Sequence, residues 1–109
     1  MFKKPVEGVI FADDKLEEAF NSLAEDDWLK KAIGRAIETL KQNVFSGDKI
    51  SKRLIPKEYI QKYQIDNLFW YQLPKGWRLV YSVAANEIEL LGIIIEYFDH
   101  KNYERRFKY

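Results

Sequence analysis

The chain predicts an α+β fold: a two-helix hairpin packed on a mainly antiparallel four-stranded sheet, with a short C-terminal helix. Two apolar stripes of helical period follow each other between Asp14 and Val44. Three strand-like runs then come in succession after Asn67, separated by turn residues. The chain has 109 residues, of which 47% are hydrophobic and 32% charged, enough for one core and too few for a second domain. Residues 1–109 are therefore read as a single domain.

The elements follow in order. Val6 to Phe11 is a short apolar stretch suited to a first strand, with Gly8 as a candidate bulge or close-approach point. Asp14 and Glu17 have capping-box spacing, and Leu16, Ala19, Phe20 and Leu23 recur behind them, so a first helix is expected over Asp14 to Ala24. A second starts at Asp26-Asp27. Its apolar positions Trp28, Ala32, Ile33, Ala36, Ile37, Leu40 and Val44 keep a 3.6-residue period, and it should end before Ser46-Gly47. Asp48 to Ile55 reads as an extended basic segment, and Pro56 suits the first turn of a short helix through Tyr63.

Asn67 to Leu73 and Trp77 to Ala84 form two arms around the turn Pro74-Lys75-Gly76. A third arm, Glu87 to Tyr97, contains the apolar run Leu90 to Ile95, as a central strand should. Asp99 can cap a last helix through Phe107.

Composition excludes several chemistries. Without cysteine there are neither disulfides nor thiolate metal sites, and one histidine without clustered carboxylates argues against a zinc site. No apolar run reaches bilayer length and no signal-peptide core opens the chain, so a cytoplasmic location and no membrane partner are expected. Charge is uneven. Through Gly47 there are seven Lys and Arg against nine Asp and Glu; from Asp48 on there are eleven against eight. The basic excess lies with the later strands.

Two residues there carry the chemistry. Arg78, at a strand start beside Trp77, can offer its planar fork to two phosphate oxygens, or can pair with Glu87 or Glu89. His100, the only imidazole, titrates near neutrality and suits proton transfer, with Tyr103 three residues on. Lys52, Arg53, Lys57 and Lys75 are candidate RNA-binding cations; Tyr59, Tyr63, Tyr71 and Tyr81 are available to stack on unpaired bases.

The run Gly76-Trp77-Arg78-Leu79-Val80-Tyr81-Ser82-Val83, after a two-helix hairpin and before a strand ending in Asp99-His100-Lys101-Asn102-Tyr103-Glu104, resembles the RelE/ParE superfamily of type II toxin–antitoxin toxins. The resemblance implies a metal-independent, cofactor-free endoribonuclease that cuts messenger RNA on the ribosome, inhibits translation, and is silenced by a cognate antitoxin protein. It places Arg78 on the scissile phosphate and His100 in proton transfer or charge stabilisation. It gives the C-terminal tyrosine role to Tyr103 or Tyr109, with Tyr103 the nearer, and lets Lys52 and Arg53 hold RNA. In two respects the chain departs from the family pattern. Phe69-Trp70-Tyr71-Gln72 lacks a lysine or arginine pair, and Glu58 falls in an inserted helix. The alternatives are a non-catalytic, ParE-like toxin of DNA gyrase and an inactive member that binds RNA or antitoxin.

Overall fold

A computed structural model describes residues 8–85 and 90–107. Its strands are β1 (Gly8–Phe11), β2 (Asp48–Lys49), β3 (Phe69–Gln72), β4 (Arg78–Ala85) and β5 (Leu90–Phe98). Its α-helices are α1 (Asp14–Asn21), α2 (Trp28–Gln42), α3 (Lys57–Tyr63) and α4 (His100–Phe107). The α+β class and the element order agree with expectation, but the sheet has five strands rather than four, in the order β1-β5-β4-β3-β2. The additional strand is β2, whose two residues pair with Trp70 and Phe69. So short a strand carries no alternation to read. β1 lies parallel to β5 and the other pairs are antiparallel.

Local chemistry sets the helix ends. Asp27 begins α2, its carboxylate accepting from the Leu29 N–H at 2.8 Å. The cap of α1 is Asp13, one residue before the acid that the capping-box spacing selects; it accepts from the Lys15 N–H at 2.7 Å. α1 stops at Asn21, short of Ala24. Asp99 caps α4 by accepting from the Asn102 N–H at 2.9 Å.

Alternation along β4 divides the core between the two faces of the sheet. Leu79 and Tyr81 point to α2, where they meet Ile33, Ala36 and Leu40. Val80 points the other way, into a second cluster with Tyr59 of α3 and Tyr103 and Phe107 of α4. Helices thus cover both faces. β5 serves both clusters and is an interior strand between β1 and β4, while β4 holds the centre of the sheet. A register shift in its pairing with β4, where Val80 faces Glu96 and Tyr81 faces Ile94, leaves Ile95 as an extra residue. This bulge lets Ile95 and Glu96 face the same side in succession. Gly8 lies in regular parallel pairing with Leu91, so the irregularity falls in β5 rather than β1. Glu87, Glu89, Met1 to Glu7 and Tyr109 lie outside the described residues.

Candidate functional site

Arg78 opens β4 opposite Phe98, the last residue of β5. Strand alternation sends Trp77 to the α2 side, edge-on to Trp28 at 5.9 Å, and Arg78 to the α4 side. There the guanidinium is held between two rings. Its central carbon lies 4.0 Å from the centroid of Trp70 and 4.4 Å from that of Tyr103. A cation over an aromatic face is attracted by the ring quadrupole, and planar guanidinium stacks with little loss of rotamer freedom. Arg78 Nε is buried without a hydrogen-bond partner among the described residues. Among the described residues, the two ring stacks are the contacts shown for this charge.

His100 begins α4 and sits over the turn that leads into Arg78: a Cβ added to Gly76 would lie 3.6 Å from the His100 Cβ. Its side chain is 55% exposed, and Nε2 lies 3.0 Å from Glu104 Oε2, one helical turn on. If Nε2–H donates to Glu104, the lone pair of Nδ1 is left to accept a proton. Arg78 and His100 thus share one end of the β4–β5 pair. Tyr103 differs from its sequence reading: it is fully buried, its ring 5.8 Å from Phe98 and 4.5 Å from Phe107. Its visible part in the site is to wall in Arg78.

The RNA-binding candidates divide. Lys52, Arg53 and Lys57 are exposed on a 3-10 turn and the start of α3. Lys75 lies beyond the far end of β3, with positive φ, and its Nζ rests 4.4 Å above the Trp28 ring on the α2 side. These four do not form one track. Of the tyrosines offered for stacking, Tyr59 and Tyr81 are buried, leaving the half-buried Tyr63 and Tyr71. Tyr81 is fixed by donating to the Val44 carbonyl at 2.8 Å and accepting from the Gly47 N–H at 3.0 Å.

A second polar region flanks the other side of α4. At 100° per residue, Tyr103 and Phe107 face the core, His100 and Glu104 lie to one side, and Asn102 and Arg106 to the other. Arg106 pairs with Glu58 of α3 and approaches Glu96 Oε2 at 3.6 Å, and the Tyr59 hydroxyl donates to Glu96 at 2.7 Å. Burial, then the Glu96 carboxylate, push the Tyr59 phenol well above its ordinary value. A cleft of about 490 Å³ opens beside this network.

Sequence reasoning missed Trp70, Glu104 and the Glu58–Arg106–Glu96–Tyr59 network. The four-residue spacing of His100 and Glu104 was a readable signal. Nothing local joins Trp70 to Arg78 or Glu58 to Arg106. No family model, curated protein or solved structure matches the chain.

Proposed function

We propose that this protein is the toxin of a type II toxin–antitoxin system, a RelE-like, metal-independent endoribonuclease acting on ribosome-bound messenger RNA. The observation that carries the reading is Arg78, fixed between Trp70 and Tyr103 at the strand end over which the His100–Glu104 pair sits. Cleavage needs a base for a ribose 2′-OH and a cation for the phosphate. Nδ1 of His100 takes the 2′-OH proton and the 2′-oxygen attacks phosphorus. Arg78 neutralises the charge gathering on the non-bridging oxygens. The bond to the 5′-oxygen breaks, that oxygen takes a proton from solvent, and a 2′,3′-cyclic phosphate remains. Lys52, Arg53 and Lys57 extend the contact along the RNA backbone.

The partners in this reading are the ribosome, messenger RNA and a cognate antitoxin. Exposed Ile10, on an edge strand that pairs only with β5 among the described residues, offers the antitoxin an apolar contact. No described helix is long and apolar enough to cross a membrane.

The test is expression without a partner, with primer-extension mapping of messenger RNA on purified ribosomes. Growth arrest and discrete cuts are expected, with both lost in Arg78→Ala and His100→Ala. Full toxicity in both variants sinks the assignment.

One observation favours a second reading, a gyrase-directed binder: rings cover both faces of Arg78, and β3 supplies no lysine or arginine beside it. Intact messenger RNA together with inhibited DNA supercoiling selects that reading. RNA affinity with neither effect selects an inactive member.

A further inference from the structure

Gln72 closes β3 directly opposite Arg78, the first residue of β4. Residues opposed in an antiparallel pair project from the same face, their Cβ atoms about 4.5–5.5 Å apart, so Gln72 shares with Trp70 and Arg78 the α4 side of the sheet. The residue is exposed, yet its amide is not left to solvent. Nε2 donates to the Leu73 carbonyl at 2.8 Å and to the Trp77 carbonyl at 3.2 Å. A carbonyl accepts only from a donor, so two carbonyl neighbours settle which end of the amide is the nitrogen.

These two carbonyls bracket the turn between β3 and β4. The Trp77 oxygen also accepts from the Leu73 N–H at 2.9 Å, so both of its lone pairs are engaged and two donors hold the Trp77–Arg78 peptide plane. Inside the bracket, Lys75 has a φ of 62° and Gly76 a φ of 80°. Left-handed backbone is uncommon for lysine and persists where the surroundings enforce it. The turn supports the site twice: it delivers Arg78 between Trp70 and Tyr103, and its Gly76 lies under His100.

We propose that Gln72 is a positioning residue: by clasping the turn from Leu73 to Trp77 it sets Arg78 and His100 relative to each other. Its effect on cleavage rests on the RNA-directed reading above, in which these two are the cation and the base. Gln72 itself touches neither RNA nor a reacting atom in this role. It acts through the backbone, by keeping a strained turn closed. Misplacing a reacting or charge-stabilising group by about 1 Å costs up to about a hundredfold in rate, so loss of the clasp should fall on kcat rather than on KM.

Gln72→Met keeps the length of the side chain and removes both donors, at an exposed position where no cavity results. The full chain and this variant are compared by NMR and by cleavage of messenger RNA on purified ribosomes. The variant should exchange the Leu73 N–H about tenfold faster, as for one weakened hydrogen bond, and should lose the nuclear Overhauser contact between Gly76 and His100. Its kcat should fall about tenfold with KM unchanged. Unchanged exchange together with an intact Gly76–His100 contact overturns the proposal. Full cleavage by the variant, or a raised KM at constant kcat, which makes Gln72 a binding contact, also overturns it and leaves the nuclease reading in place. If the unsubstituted protein leaves messenger RNA intact while the turn opens in Gln72→Met, the positioning role stands and the nuclease reading falls.

Discussion

Arg78 is held by two aromatic faces with no carboxylate partner among the described residues, and this makes a prediction independent of function. Lysine keeps the charge and loses the plane, so Arg78→Lys should destabilise the protein by about 1 kcal/mol, measured by urea unfolding. An unchanged midpoint means the rings contribute nothing. Tyr81 and Gly47 make a second pair. Tyr81→Phe removes a donor to Val44 and an acceptor for the Gly47 N–H from a buried site, a loss of about 1–3 kcal/mol. Gly47→Ala drives a methyl against the Trp70 carbonyl and to within 2.8 Å of the Tyr81 hydroxyl. Overpacking of that kind costs about 1–3 kcal/mol, visible as a lower thermal midpoint. Both act on one contact, so their effects should not add.

Helices α1 and α2 were legible because each carries its own apolar period and an aspartate at its start. Asp27→Ala should cost about 1 kcal/mol through the unsatisfied N–H of Leu29, read by chemical denaturation. β4 and β5 were legible as apolar runs, and Asp99 as the cap of α4. What the sequence hid arises between elements. The bulge at Ile95 exists only in the pairing of β5 with β4, yet it puts Glu96 beside Tyr59 and Arg106. The stack on Arg78 needs β3, β4 and α4 together. Arg78 and His100 were identifiable as chemically able side chains; their holders Trp70 and Glu104 depend on contacts that spacing alone does not weigh. Spacing puts Tyr103 on one helical face with His100, whereas the core side of α4 runs through Tyr103 and Phe107.

At the scale of the whole molecule, ionisation bounds the range of stability. The Lys62 side chain, 3.0 Å away, holds the Asp13 carboxyl below its ordinary value of 3.8. A lowered acid stabilises the fold above the ordinary value and ceases to do so as pH falls through the folded one. Tyr59, Tyr81 and Tyr97 are shifted upward, each chiefly by burial, from the ordinary 10.0. The folded state then retains protons that the unfolded chain releases, so stability should fall as pH rises above about 10. Thermal midpoints across pH should give a plateau between these limits, and Tyr59→Phe should reduce the alkaline loss. An alkaline limb unchanged in Tyr59→Phe would assign that loss to other groups.

The arrangement of the three indoles also gives the molecule a built-in optical gauge. Trp28 and Trp77 lie against each other on the α2 side, whereas Trp70 alone touches Arg78. Any anion that draws the guanidinium off its ring alters the surroundings of one emitter and spares the other two, so an anion bound at Arg78 can be followed by intrinsic fluorescence without a label.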